Sequence, residues 1–301
     1  MTASAILKSM RLRTLPLSLA GVLLGSLLAL KANTLHTCPT SCLWLLVTLY
    51  LTTVLLQVLS NMSNELGDYL HGTDTQQRQA PAYSLQRGDL TPDQLKRCIG
   101  VVAVLCALSG AIMVWLSWGT LLTPTPLLML LLGAAAIWAA MHYTLGKHPY
   151  GYRALGDIFV FIFFGLVAVC GSYFVVAHRL EAQMLLPASA IGLFSVGVLN
   201  VNNIRDMATD RATRLTVPLL IGVRKARIYQ TLLITTGWAL VIIYIALTAT
   251  TWHQWLCLLT MPLYTMHLHG VWHREERALD AMLPLLVIST FLLALLISIT
   301  L

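Results

Sequence analysis

Apolar segments of about 20 residues recur along the whole chain, and this feature restricts the possible folds most strongly. A membrane-spanning helix needs about 20 predominantly apolar residues. Hydropathy predicts nine such helices, near residues 14–31, 43–60, 97–117, 125–145, 155–177, 183–201, 229–249, 252–270 and 281–300. Only 10% of the 301 residues are charged, against roughly 25% in an average soluble domain. We therefore predict an all-α integral membrane protein, a single domain over residues 1–301, with its helices around a central cavity.

The charged residues are distributed unevenly between the two sides of the predicted bundle. With nine helices, the N-terminus and every even-numbered loop share one side, which carries all 19 Lys and Arg residues except Lys31 and Arg179. The positive-inside rule predicts that this side is cytoplasmic. The same side carries all 12 Asp and Glu residues except Glu181, which the rule does not require. Membrane topology thus explains the net charge of +7, and we expect no nucleic-acid partner.

Two cytoplasmic loops, residues 60–97 and 200–227, are long and polar. Loops longer than about 12–15 residues are usually functional or disordered, and the mixed composition of these two favours function. Each begins as the continuation of a spanning helix, with Asn and Asp residues spaced three and then four apart: Asn61, Asn64 and Asp68 in the first, and Asn203, Asp206 and Asp210 in the second. Each set is therefore predicted to lie on one helix face. Such a face is costly in lipid and normally borders a cavity.

The carboxylates of these two stripes favour a bound Mg²⁺ ion. Asp74 adds a further carboxylate after Gly72, where we predict that the first helix ends. Mg²⁺ is usually held by one or two carboxylates together with substrate phosphates, and the ion reverses the local charge. We predict that both stripes hold one diphosphate through Mg²⁺, with four cations available to neutralise the remaining phosphate charge: Arg78, Lys147, Arg205 and Arg211.

Three other interpretations of these residues stay open at this stage. Surface ion pairs and helix caps explain either loop taken alone. A secondary transporter also carries ionisable residues within its spans, but near the membrane midplane, whereas these stripes lie at helix ends. A non-catalytic assembly subunit gives no reason for two matching stripes on one face.

Several motifs resemble those of the intramembrane UbiA-type prenyltransferases, and in particular the branch that acts on 1,4-dihydroxy-2-naphthoate. The run LQVLSNMSNELGDYLHGTD resembles the first aspartate-rich motif of that branch, and NNIRDMATDRATRLTVPLLIG resembles the second. Residues 151–175 are similar to its fifth helix, and MRLRTLPLSLAGVLLG to the basic entry to the first helix. Glu65 departs from the pattern, since Asp is usual there, and the loop around residues 80–88 is less typical.

The resemblance implies roles for individual residues. Six would hold the Mg²⁺–diphosphate: Asn64, Asp68, Asp74, Asn203, Asp206 and Asp210. Tyr143 and Lys147 match a Tyr-x-x-x-Lys motif, which predicts that both lie on one face of the fourth helix, and Lys147 and Arg205 would contact phosphate oxygens. Arg153 and Asp157, in the run YRALGD, would border the aromatic pocket.

The resemblance also implies the reaction and its place in the cell. Polyprenyl diphosphate would ionise, the ring of 1,4-dihydroxy-2-naphthoate would attack, and CO₂ and diphosphate would leave, giving demethylmenaquinol. Another aromatic acceptor, such as 4-hydroxybenzoate, a haem or a chlorophyllide, stays open. The prenyl tail would lie between apolar helices that contact membrane lipid. The location would be the bacterial cytoplasmic (inner) membrane, with the active site at the cytoplasmic face.

Overall fold

The computed structural model describes residues 2–32, 40–73 and 83–300. Within these ranges the secondary structure is helical, apart from one isolated β-bridge between Arg153 and Leu215. The helices, numbered here in chain order, are α1 (Ala3–Met10), α2 (Leu15–Ala32), α3 (Thr40–Leu70), α4 (Pro92–Trp118), α5 (Pro124–His142), α6 (Gly156–Ala177), α7 (Leu185–Arg205), α8 (Met207–Asp210), α9 (Val217–Ile221), α10 (Val223–Thr248), α11 (Met261–His273) and α12 (Met282–Thr300). The predicted all-α membrane fold is confirmed.

Eight helical segments of the described residues are long and apolar enough to cross a membrane. The eighth predicted span, residues 252–270, is instead a 3₁₀ segment (Trp252–Thr260) followed by α11. At 13 residues, α11 is shorter than the roughly 20 residues that a helix needs to span the bilayer. The count of nine is therefore not confirmed.

Small residues bring α2, α6 and α7 unusually close together. Gly21 and Gly25 of α2 form a Gly-x-x-x-Gly pair, a pattern that lets membrane helices approach backbone to backbone. A Cβ atom at Gly25 would overlap the carbonyl oxygen of Val169 in α6, and one at Gly165 of α6 would overlap Gly192 of α7. Residues 161–171 of α6 are π-helical, a wide winding that is frequent at functional sites. This packing fixes α6 as one wall of the cavity described below.

Helix α3 ends just after the first acidic stripe, as its sequence predicts. Gly72 adopts a left-handed conformation with φ of 69°, and the Thr73 amide donates a hydrogen bond of 2.9 Å to the Asp68 carbonyl. This is a Schellman arrangement, which ends a helix at a glycine. It places the Asp68 side chain on the last turns of α3, at one end of the bundle.

Candidate active site

One cavity of about 500 Å³ runs between α2, α3, α4, α5, α6 and α7. Along α3 it extends from Asp68 back to Leu49, a distance of about 28 Å at 1.5 Å per residue. Its polar end is lined by Arg11, Asn61, Asn64, Asp68, Asn202 and Arg214. Deeper in the bundle the walls are mostly apolar, with Leu49, Met113 and Val167 among the lining residues. The cavity thus joins a charged mouth to a long apolar interior.

The predicted stripe on α3 borders this cavity in full. Asn61, Asn64 and Asp68 all line it. The Asp68 carboxylate is 3% exposed, and it accepts a hydrogen bond of 2.8 Å from the Tyr152 hydroxyl. The side-chain amide of Asn61 already donates a hydrogen bond of 2.8 Å to the Met10 carbonyl. Asn64 and Asp68 are therefore the members of this stripe that are best placed to meet a ligand.

The second motif winds into short helical turns after α7. Helix α7 ends at Arg205, and the Asp206 backbone lies outside the α region at φ −95° and ψ 6°. The amides of Asp210 and Arg214 then donate to the carbonyls of Asp206 and Asp210, at 2.9 Å each. Side chains at four-residue intervals consequently stack on one side of these turns.

Within α7, the cavity face carries Asn202 instead of the predicted Asn203. Asn202, four residues before Asp206, lines the cavity, whereas Asn203 is buried outside its lining. The position of Asn203 on the cavity face, inferred from spacing, does not match the structure.

Arg205 and Asp206 form a buried ion pair at the base of the second motif. Arg205 Nε and Nη2 donate to the two carboxylate oxygens of Asp206 at 2.9 and 2.7 Å. Arg205 also donates to Asp280 at 2.7 Å and to Asn202 at 2.8 Å. Neither Arg205 nor Asp206 lines the cavity. With its donors already used, Arg205 is placed to support the second motif rather than to reach a phosphate.

Arg214 joins the two acidic motifs. Its side chain is 5% exposed, with Nη2 2.7 Å from Asp210 Oδ2 and Nη1 3.8 Å from Asp68 Oδ1. Asp210 is completely buried. The structure thus brings Asp68 and Asp210 to opposite sides of one guanidinium, although they lie 142 positions apart in the sequence. Sequence reasoning missed Arg214; its spacing of four residues from Asp210 was the only available signal.

Arg11 is a second cation that the sequence did not single out as a ligand. It lines the cavity, and its guanidinium lies 3.6 Å from the centre of the Tyr83 ring, a cation–π arrangement. Its Nε and Nη2 atoms are buried and have no hydrogen-bond partner among the described residues. Buried donors are normally satisfied, so this guanidinium is suited to an anionic ligand in the cavity mouth.

Aromatic rings form one wall next to the charged mouth. Tyr143, Tyr150, Phe159 and Phe163 all line the cavity. Tyr150 and Phe159 stack with ring centres 3.9 Å apart, and Tyr143 meets Tyr150 edge-on at 5.4 Å. Burial raises the pKa of Tyr143 to about 12, so its hydroxyl stays protonated near neutral pH.

Lys147 and Tyr143 do not share a helix face, so that prediction is wrong. Helix α5 ends at His142, and Gly146 turns the chain with φ of 99°. Tyr143 therefore points into the bundle, whereas Lys147 is exposed and makes no ion pair with a described residue. Because a glycine turn separates them, helical spacing does not apply.

Arg153 and Asp157 lie beside the cavity rather than in its lining. Arg153 is exposed, and its backbone forms the β-bridge to Leu215 that ties this turn to the second motif. The Asp157 carboxylate accepts a hydrogen bond of 3.0 Å from the Tyr229 hydroxyl. Asp74 and Arg78 lie outside the described residues.

Glu65 has a structural contact instead of a place in the cavity. It is fully buried, and its Oε1 accepts a hydrogen bond of 2.8 Å from the Leu85 amide. It does not line the cavity. Glu65 therefore anchors the segment after the first motif to α3.

The donor set at the mouth fits a Mg²⁺ ion bound together with phosphate. Asp68 and Asp210 bracket a buried positive charge, which shows that this position accommodates a cation. Within residues 2–32, 40–73 and 83–300, no three His, Cys, Asp or Glu side chains are grouped closely enough to hold a metal alone. Mg²⁺ does not require that, because it is usually held by one or two carboxylates with waters and substrate phosphates.

Comparisons with known proteins agree with this geometry. The model of the UbiA prenyltransferase family matches residues 18–295. The 1,4-dihydroxy-2-naphthoate octaprenyltransferase of Haemophilus influenzae is 37% identical over 260 residues, covering 85% of this chain and 82% of that protein. The protein of the same name from Escherichia coli is 37% identical, covering 86% and 82%. The one from Mycobacterium tuberculosis is 34% identical, covering 80% and 77%.

A solved structure supports the fold. The apo structure of a UbiA homolog from Aeropyrum pernix K1 superimposes with a TM-score of 0.69 at 17% identity, covering 98% of both chains.

Proposed function

Because this chain belongs to the UbiA prenyltransferase family, we propose that it prenylates 1,4-dihydroxy-2-naphthoate. A polyprenyl group moves from polyprenyl diphosphate to the naphthoate ring, CO₂ and diphosphate leave, and demethylmenaquinol forms. The acceptor is inferred from the three bacterial relatives whose names state it. The single observation that carries the proposal is the cavity, which joins Asp68 of the first motif and Arg214 of the second to an apolar channel about 28 Å long.

The two ends of the cavity suit the two ends of a polyprenyl diphosphate. The diphosphate occupies the mouth, where Arg11 and Arg214 offer positive charge and Asp68 offers a ligand for Mg²⁺. Asp210 lies behind Arg214, outside the lining, and supplies a second carboxylate once that arginine moves. The prenyl chain extends between the apolar walls and toward membrane lipid. Because lipid tails are as apolar as the channel walls, a prenyl chain enters the channel from the bilayer without a desolvation cost.

Bound Mg²⁺ supplies Lewis-acid stabilisation of the departing diphosphate. The protein's own part is to place charge where the C–O bond breaks. Asp68 is fixed by Tyr152, and the unpartnered nitrogen atoms of Arg11 are available to phosphate oxygens. Lys147 reaches the same anion only if its exposed side chain folds toward the mouth.

The aromatic wall stabilises the reacting allylic carbon of the prenyl donor. Tyr143, Tyr150 and Phe159 present ring faces and edges beside the mouth, and aromatic faces attract cations by roughly 0.5–2 kcal/mol. An allylic cation formed there is stabilised and shielded from water, which suppresses hydrolysis. The naphthoate ring then enters between this wall and the mouth, with Arg153 and Asp157 at the border of that space.

The remaining residues predicted as ligands from sequence have different roles in this proposal. Asn64 and Asn202 line the mouth and are able to orient the diphosphate or its ion. Asp206, paired with Arg205, holds the second motif in position. Asn203 is assigned the same supporting role. The protein is proposed to lie in a bacterial inner membrane with this mouth facing the cytoplasm.

The test is a product assay with purified protein in detergent. Octaprenyl diphosphate is supplied with Mg²⁺ and either 1,4-dihydroxy-2-naphthoate or 4-hydroxybenzoate, and product masses are recorded. We expect a prenylated naphthalenediol whose mass shows loss of CO₂, and no product once the ion is removed with EDTA. Prenylated 4-hydroxybenzoate alone would reassign the acceptor, and full turnover in EDTA would exclude the metal.

A further inference from the structure

Arg214 occupies a position that no other described cation shares. Its guanidinium reaches a carboxylate from each acidic motif, at 2.7 Å to Asp210 and 3.8 Å to Asp68. It also lines the cavity mouth. The contact therefore closes the gap between α3 and the turns that follow α7, at the place where both motifs meet a ligand.

Charge explains why a cation is held at this point. Asp68 and Asp210 are both nearly inaccessible to water, and unpaired buried carboxylates are strongly destabilising. Neither of the other two arginines of the second motif serves them: Arg205 is already paired with Asp206 and Asp280, and Arg211 is exposed and makes no ion pair with a described residue. Among the described residues, Arg214 is the cation that contacts both Asp68 and Asp210.

We propose that Arg214 is an internal substitute for the metal ion, and that Mg²⁺ displaces it from the two carboxylates onto the diphosphate. The identity of the anion rests on the proposed function; the competition between Arg214 and a divalent ion does not. Both cations are attracted to the same two carboxylates, so binding of one weakens binding of the other. A displaced guanidinium still borders the cavity and finds phosphate oxygens there, which suit its planar set of donors.

This exchange couples the two ligands thermodynamically. Mg²⁺ alone has to break the contacts of Arg214 with both carboxylates, so the metal-free site resists the bare ion. Diphosphate gives the displaced guanidinium a partner, so it raises the affinity for the metal, and by linkage the metal raises the affinity for diphosphate to the same degree. The site would thus load its ion together with substrate.

Arg214→Gln tests the exchange, because it removes the charge and keeps a polar side chain. Arg224→Gln is the matched control: Arg224 is an exposed arginine at the start of α10, outside the cavity lining. Binding of Mn²⁺, a spectroscopic substitute for Mg²⁺, is measured by electron paramagnetic resonance, with and without inorganic diphosphate. Since neither prenyl donor nor aromatic acceptor is present, the result does not depend on the proposed reaction.

We expect Arg214→Gln to bind Mn²⁺ alone roughly tenfold more tightly than the parent, within the 5- to 150-fold range typical of coupled sites. The increase in Mn²⁺ affinity that diphosphate causes should shrink in this variant, and Arg224→Gln should match the parent in both measurements. Equal or weaker Mn²⁺ binding by Arg214→Gln would overturn the proposal.

Arg214→Lys provides a second variant if the glutamine protein does not fold. A lysine is a single point charge without the planar fork of arginine, so one nitrogen atom replaces the two that contact Asp210 and Asp68, and the contacts are weaker. We expect Arg214→Lys to bind Mn²⁺ with an affinity between that of the parent and that of a site without any cation at position 214. Parental affinity in Arg214→Lys, with parental dependence on diphosphate, would also contradict the exchange.

Discussion

Tyr152→Phe removes one oxygen atom from the site and leaves the ring in place. In the parent, the Tyr152 hydroxyl donates to Asp68 Oδ1 at 2.8 Å and lies 3.2 Å from Thr73 Oγ1. Burial, and next the nearby Asp68 carboxylate, raise the pKa of Tyr152 above its ordinary value. The phenol therefore stays protonated and keeps donating throughout the pH range of an assay.

The structure sets the size of the effect. A hydrogen bond to a charged group contributes about 1.5–3 kcal/mol, and 1.36 kcal/mol corresponds to a factor of ten in rate. If Asp68 must be fixed to bind the ion and the diphosphate, kcat/KM for polyprenyl diphosphate should fall by roughly 10- to 150-fold. The Mg²⁺ concentration needed for half-maximal rate should rise with it, because the carboxylate loses its orientation.

Tyr69→Phe is the matched control for this measurement. Tyr69 adjoins Asp68 in the sequence, is 43% exposed, and forms no hydrogen bond through its hydroxyl with a described residue. Initial rates are recorded against Mg²⁺ and donor concentration, with thermal unfolding checked for each protein. A Tyr152→Phe enzyme with the parental kcat/KM and Mg²⁺ dependence would refute the role of Tyr152 in positioning Asp68.

Three further predictions concern other parts of the molecule. Glu65→Gln should keep near-parental activity, because its amide oxygen still accepts a hydrogen bond from the Leu85 amide, whereas Glu65→Ala should lower the Tm. Loss of activity in Glu65→Gln at an unchanged Tm would instead indicate that Glu65 is a ligand. Gly25→Ala should lower the Tm or prevent folding, because its Cβ overlaps the Val169 carbonyl. The control Gly100→Ala lies in open space and should stabilise the protein slightly, by about 0.5–1 kcal/mol. Equal Tm values for the two variants would contradict the close α2–α6 contact. Lys147→Met should lower kcat more than it raises KM if Lys147 folds onto the departing diphosphate, and an unchanged kcat would leave it as an interfacial anchor.

Much of the fold could be predicted because lipid imposes a simple rule on sequence. A chain in a bilayer must satisfy its backbone within helices, so apolar length identifies most spans directly. The stripe on α3 was also predictable, because Asn61, Asn64 and Asp68 lie within an uninterrupted helix, where spacing determines the face. Apolar length did not predict the structure of residues 252–270, because the first nine of them form a 3₁₀ helix.

The parts of the site that could not be predicted depend on helix ends and on distant contacts. A helix that ends at Arg205 interrupts the spacing between Asn203 and the two aspartates, Asp206 and Asp210. A turn at Gly146 separates Lys147 from Tyr143. Helical periodicity stops being informative at such points. The contact between Arg214 and Asp68 joins residues far apart in sequence, and no local pattern indicates it.

The central claim is that Asp68 and Asp210 act in one metal-dependent prenyl-transfer site at the mouth of the cavity. The most direct measurement is the rate of naphthoate prenylation, followed by product mass, in the parent and in Asp68→Asn and Asp210→Asn. Asparagine keeps the shape of each side chain and removes its charge. We predict that each variant stays folded in detergent but loses at least about 100-fold in kcat/KM, equal to about 2.7 kcal/mol of transition-state stabilisation. Two folded variants that prenylate the naphthoate at the parental rate would contradict the account.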